Sequence, residues 1–196
     1  MSNQRRRLSV LLVVALLSSG VLSSGPVSLR AQTPVNANAK TIADFKTRID
    51  AYAALHKKLE ASLPALSKDS TPEQIDKHQR ELAALLVKER AAAKPGDLFQ
   101  PAMQTLTRDL IKQVFAHGDA SLLRASIMDE NPGPVKLTIN GRYPDTVPLT
   151  SMPTEVLKGL PVLPEGLEYR FVGETLILLD PHAHTIADFV PNALPK

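Results

Sequence analysis

Two histidines and an aspartate near the C-terminus have the residue types of a metal site. Asp180, His182 and His184 alternate along a segment that we predict to be extended, and residues two apart in an extended chain point to the same side. Two imidazoles and a carboxylate suit zinc, copper or nickel. Alternatively, Pro181 makes a turn that splays His182 outward, and both histidines are then exposed turn residues. We therefore assign no metal ligand, cofactor-binding residue or catalytic residue from the sequence.

A second pair of histidines, His56 and His78, lies on two predicted helices. A short loop makes these helices antiparallel neighbours, and folding the chain near Lys68 brings the two imidazoles together. Such a pair could bind a metal, or become charged below about pH 6.5 and push the helices apart. The alternative is that both are edge residues of the helix seam, each with one nitrogen in water.

Apolar residues at helical spacing predict the hairpin that carries this second pair. The first helix is predicted over residues 41–63 and ends at Pro64. The second begins at the capping box Thr71–Gln74 and ends before Pro95. The two stripes comprise Ile42, Phe45, Ile49, Tyr52, His56, Leu59 and Leu63, and then Ile75, His78, Leu82 and Leu85.

The rest of the chain changes from helical to extended patterns at Asn131-Pro132-Gly133-Pro134. Two helices are predicted before this break, over 101–115 and 119–128, and short helical turns after it, over 152–160. Strands are predicted over 135–142, 167–171, 176–179 and 185–190. The fold class is therefore α+β: an antiparallel helical hairpin and two further helices, packed on a small C-terminal antiparallel β-meander of three to four strands.

The N-terminus has the pattern of an export signal. Arg5, Arg6 and Arg7 precede an apolar run over 8–17, which ends at small residues and falls short of the roughly 20 residues that span a membrane. This pattern predicts a periplasmic or secreted protein that meets the membrane only through the signal before cleavage. The predicted organisation is a signal peptide over 1–31, a disordered linker over 32–39 and a single α+β domain over 40–196, with a helical part over 40–130 and a β part over 133–196.

Composition excludes several classes of function. The chain has no cysteine, so disulfides and thiolate metal sites are excluded. Four of the 23 basic residues and none of the 20 acidic residues lie in 1–31, which leaves 19 basic against 20 acidic residues and gives no support for nucleic-acid binding. The P-loop, dinucleotide, HExxH, EF-hand and GxSxG motifs are all missing, so little indicates an enzyme.

The C-terminal pattern RFVG…LILLD…IADFVPNALP, with GDLF at Gly96–Phe99 and INGRYP at Ile139–Pro144, resembles a family of exported bacterial proteins of uncharacterised function. The resemblance covers most of the chain after the signal. It implies export and a shared α+β fold, and it transfers no catalytic or binding residue.

Three functional hypotheses follow from the sequence. The leading one is a non-enzymatic exported protein that contacts a partner, the envelope or a second copy of itself through the helical hairpin, which requires an exposed apolar patch there. The alternative is a periplasmic metal-binding or pH-responsive protein that uses its histidines. The third is a hydrolase without a recognisable motif, which requires a pocket with convergent polar groups.

Overall fold

A computed structural model of the protein describes residues 34–129 and 135–196, so the predicted signal over 1–31 lies outside it. Within the described residues, five helices precede three strands, which confirms the α+β prediction. The helices are α1 (Pro34–Glu60), α2 (Pro72–Glu89), α3 (Pro101–His117), α4 (Ala120–Met128) and α5 (Thr154–Gly159). The strands are β1 (Glu168–Val172), β2 (Thr175–Asp180) and β3 (Thr185–Val190). Of the described helices, none has the length and apolarity needed to cross a membrane.

The hairpin of α1 and α2 forms as the apolar spacing predicts. The predicted capping box is present, with the Gln74 backbone N–H donating to Thr71 Oγ1 at 3.3 Å and the Thr71 N–H donating to Gln74 Oε1 at 2.8 Å. Ile75, which was predicted to lie in the seam, is instead 40% exposed. The buried residues of the hairpin are Phe45, Ile49, Tyr52, His56 and Leu59 on α1, with His78, Leu82 and Leu86 on α2.

Residues 34–39, which belong to the linker predicted over 32–39, are helical and form part of α1. Alanines at 37 and 39 favour the helix, and Thr41, predicted to start it, donates its hydroxyl to the Ala37 carbonyl at 3.0 Å. The helix therefore extends N-terminally beyond its buried stripe.

The three strands form an antiparallel sheet in the order β1-β2-β3, and both of its faces are covered. Gly173, with φ of 57°, makes the predicted tight turn between β1 and β2. The face that packs on the helices, here called the helix face, comprises Tyr169, Phe171, Leu176, Leu178, Ala187 and Val190. The opposite face, here called the outer face, comprises Val172, Ile177, Leu179 and Ile186, and it packs against Tyr143 and Val147. This double burial explains why β2 is apolar on both sides.

A β-bulge in β3 changes the face of the sheet on which the following side chains lie. The register between β2 and β3 shifts between Leu178 and Leu179, and Ala187 is the extra residue. Strict alternation would put Ile186 and Asp188 on the same face of the sheet. With the bulge, Ile186 joins the outer face, while Asp188 pairs with a helix-face residue and points toward the helices.

The strand predicted over 135–142 does not form. Residues 135–138 have no regular structure, and Asn140, with φ of 57°, turns the chain. Pairing with β3 is reduced to a single bridge between Arg142 and Thr185 and a few backbone hydrogen bonds, such as Asn140 N–H to Ile186 O at 2.8 Å. The left-handed backbone at Asn140 interrupts the extended conformation that a fourth strand needs.

Asp188 attaches the loop before α3 to the sheet. Its carboxylate is fully buried and accepts backbone N–H groups from Gly96 at 3.0 Å and from Leu98 and Phe99 at 2.8 Å each. These residues belong to the GDLF segment singled out in the sequence. The three backbone N–H groups gain an acceptor, and the buried carboxylate gains three donors. These hydrogen bonds hold the loop before α3 against β3.

We expect Asp188→Ala to lower the free energy of unfolding by roughly 3 kcal/mol, because it leaves buried N–H donors without an acceptor. Asp188→Asn keeps one acceptor oxygen and should lose less. Urea unfolding followed by circular dichroism measures both, with Asp69→Ala, in an exposed loop, as the control. If Asp188→Ala and Asp69→Ala had equal stability, the role assigned to Asp188 would be wrong.

Candidate functional site

A buried carboxylate at the end of β2 connects the sheet to α1. Asp180 is fully buried, and its Oδ2 accepts the Tyr52 hydroxyl at 2.8 Å and faces His56 Nδ1 at 2.6 Å. Its Oδ1 accepts the Ala183 N–H at 2.9 Å, which closes the turn between β2 and β3. The side chain therefore orients His56 and holds the turn that carries His182.

A second carboxylate, Glu60, brings three imidazoles together. Glu60 lies one turn after His56 on α1, and its Oε2 is 3.2 Å from His56 Nε2. Its Oε1 is 2.9 Å from His182 Nδ1 and 3.7 Å from His78 Nε2. One ligand atom each from His56, Glu60 and His182 lie within 4.8 Å of one another, a spacing that a single metal ion could bridge with small side-chain adjustments.

The contacts of His56 require a proton or a metal ion between its Nε2 and Glu60 Oε2. Both ring nitrogens face carboxylate oxygens, Nδ1 toward Asp180 and Nε2 toward Glu60. A neutral imidazole has one N–H, so its other nitrogen would direct a lone pair at an anionic oxygen. The two contacts are favourable together when the ring is an imidazolium or when another cation occupies the position of the Nε2 proton.

The pKa values of His56 and Glu60 agree with that requirement. Burial lowers the pKa of His56, but the hydrogen bond and charge of Asp180, with those of Glu60, outweigh burial and raise the pKa above its ordinary value. Burial raises the pKa of Glu60, but the hydrogen bond and charge of His182, with those of His56, outweigh burial and lower it. The metal-free site therefore favours a protonated His56 beside an ionised Glu60.

A cleft of about 550 Å³ opens beside these side chains. Its polar wall includes Glu60, His78, Gln79 and His182. The remaining lining residues are mainly apolar, with one lysine: Lys57, Ala61, Leu63, Ala65, Leu66, Ile75 and Pro181. A cleft of this volume, lined by both polar and apolar residues, is typical of small-ligand sites.

The sequence-predicted trio of Asp180, His182 and His184 does not come together as one ligand set. Residues 181–184 form a turn rather than an extended segment, and His184 has φ of 51°. Its Nε2 lies 3.4 Å from Asp145 Oδ1, and burial beside Arg142 lowers its pKa. The turn proposed at Pro181 is present, and it separates His184 from His182.

The second sequence-predicted pair, His56 and His78, does converge, but on Glu60 rather than on each other. Sequence reasoning missed Glu60, although its position four residues after His56 on a helix was an available signal. The partnership of His56 with Asp180 had no local signal, because 124 residues separate them.

Comparison with protein-family models, curated proteins and solved structures gave no match for this chain.

The pKa shifts predict how the stability of the metal-free protein depends on pH. Because the pKa of His56 is raised, its contribution is full below the ordinary value of 6.5 and is lost as the pH rises through the folded-state pKa. Because the pKa of Glu60 is lowered, its contribution is present above the ordinary value of 4.5 and is lost as the pH falls through the folded-state pKa. These two groups therefore stabilise the fold most between those two values.

We expect His56→Gln to abolish the part of the stability decline that occurs above pH 6.5 in the metal-free protein. Urea unfolding in the presence of a chelator, repeated from pH 5 to pH 9, measures the profile. His117→Gln, which changes an exposed histidine at the end of α3, should keep the decline. An unchanged profile in His56→Gln would refute the assignment.

Proposed function

We propose that the protein binds a divalent transition metal, with zinc the best fit, through His56, Glu60 and His182. The observation that carries this proposal is the convergence of three ligand atoms within 4.8 Å, from two segments that are distant in the sequence. Two imidazoles and a carboxylate form one of the ligand sets that zinc uses in proteins, with a water or substrate completing the tetrahedron.

The surroundings of His56 support this proposal. In many metal sites, the nitrogen of a ligating histidine that does not bind metal donates to a carboxylate, which fixes the tautomer and increases the basicity of the ligand. Asp180 is positioned for this role at 2.6 Å from Nδ1, and the Tyr52 hydroxyl holds the same carboxylate oxygen. Nε2 is then the ligand atom that faces Glu60.

The charge balance supports a cation at the same position. The metal-free contacts between His56 Nε2 and Glu60 Oε2 require a proton there, and a metal ion would replace it. Binding should therefore release protons and strengthen as the pH rises. His78, 3.7 Å from Glu60 Oε1, adds a neighbouring imidazole outside the group of three.

We also propose that this metal binding takes place outside the cytoplasm of a bacterium. The support is the arginine-led apolar segment at the N-terminus and the resemblance of the C-terminal pattern to exported proteins of uncharacterised function. N-terminal sequencing of the protein recovered from the periplasm or medium tests this, and the expected start is close to Gln32.

Contact with a partner, the envelope or a second copy stays a prediction. The observation that favours it is the exposure of Leu66 and Ile75 on the hairpin, at 43% and 40%. Hydrolase activity also stays a prediction. The metal-binding proposal is preferred because it accounts for the convergence of His56, Glu60 and His182 beside the cleft.

We expect the metal-free protein to bind one equivalent of Zn²⁺ in isothermal titration calorimetry, and His182→Ala to weaken binding at least tenfold. The His182 side chain is 52% exposed, so its loss should leave the fold intact. At 100 times the dissociation constant, Zn²⁺ should stabilise the wild-type protein by about 2.7 kcal/mol.

Two histidine substitutions serve as matched controls for this experiment. His184→Ala and His117→Ala should bind Zn²⁺ as tightly as the wild type, because neither residue belongs to the group of three. Equal affinity of His182→Ala and the wild type would rule out the proposed site.

A further inference from the structure

The ligand set that we propose leaves one side of the metal open. Zinc in proteins is usually four-coordinate, so His56, Glu60 and His182 would leave one position for a water or another ligand. The side behind His56 is closed by the buried carboxylate of Asp180. Glu60 and His182 both line the cleft, so the open position would face it.

The lining of the cleft combines polar and apolar residues in a way that suits an amphiphilic ligand. Its polar residues include His78, Lys57 and the two proposed metal ligands Glu60 and His182. Its apolar residues include Leu63, Leu66 and Ile75. Leu66 and Ile75 are both exposed, and a ligand seated in the cleft would cover them.

We infer that the metal-loaded protein binds a small carboxylate with an apolar tail in this cleft, an inference that rests on the proposed metal site. One carboxylate oxygen occupies the open position on the metal, and Lys57 compensates the negative charge. The tail packs against Leu63, Leu66 and Ile75. The volume of about 550 Å³ accommodates a medium-length acyl chain or a compact ring.

The apolar lining separates this inference from simple binding of an anion to a metal. Each buried methylene should increase the affinity about fourfold, so affinity should increase with the length of the tail. A metal with no organised cleft would bind short and long carboxylates alike. The distinguishing property is therefore a carboxylate affinity that increases with tail length and requires the metal.

The test begins by loading the protein with Co²⁺, whose visible spectrum reports the coordination shell, and measuring metal affinity by calorimetry. Acetate and octanoate are then titrated into the loaded and the metal-free protein. We expect octanoate to bind the loaded protein at least tenfold more tightly than acetate, to change the Co²⁺ spectrum, and to bind the metal-free protein at least tenfold more weakly.

Two variants locate the binding of the tail. Leu66→Ser combined with Ile75→Ser should weaken octanoate binding about tenfold and leave acetate and metal affinity unchanged. Val87→Ser replaces an exposed apolar residue of α2 outside the cleft lining and should change none of the three affinities.

The outcomes separate this inference from the metal proposal. Octanoate binding that leaves the Co²⁺ spectrum unchanged, or that is equally tight without metal, would overturn the inference and leave the metal site standing. Equal affinity for acetate and octanoate, or no binding of either by the loaded protein, would do the same. Failure of the initial Co²⁺ titration, with no heat and no spectrum, would overturn both.

Discussion

Two buried aspartates on the helix face determine how the two halves of this protein fit together. Asp180 and Asp188 are both fully buried, and a carboxylate in such a position is costly unless nearly every oxygen lone pair is compensated. Most of the compensating groups come from the helical half: Tyr52 and His56 for Asp180, and the backbone of the loop before α3 for Asp188. Sliding or rotating the sheet against the helices would take these partners away from both anions. Apolar packing brings the halves together, and these two anions select one arrangement.

The β-bulge is what allows two such anchors on neighbouring strands. Asp180 lies on the helix face by the ordinary alternation of β2, whereas Asp188 reaches that face because Ala187 is inserted in β3. Ile186 then fills the outer face, where the segment around Tyr143 covers it. In a regular strand, Ile186 and Asp188 would lie on the same face. Either Ile186 would then face the helices, or Asp188 would be buried in the apolar cluster of the outer face. The irregularity thus serves packing on both faces at once.

The predictions that were confirmed rest mostly on neighbouring residues, and most contacts between distant residues were missed. The capping box at Thr71 and the glycine turn at Gly173 are local, and both form. The expectation that Asp180 would share a metal with His182 and His184 depended on an extended backbone, which the turn and the left-handed conformation of His184 replace. Asp180 looked like a possible ligand, but the sheet buries it. Glu60 could have been found from its spacing to His56, whereas the meeting of Glu60 with His182 depends on the whole fold.

A bound metal would link segments that only the complete fold brings together. The proposed ligands come from α1 and from the turn after β2, the two segments that the Asp180–His56 contact already joins. A metal ion there would add a second link across the same junction. Because hydrogen bonds assemble the cluster without metal, little ordering entropy remains to oppose binding, in contrast to sites that fold only around their ion. The proposed site would therefore gain and release metal while the fold persists, and its open side would remain free to respond to a second ligand.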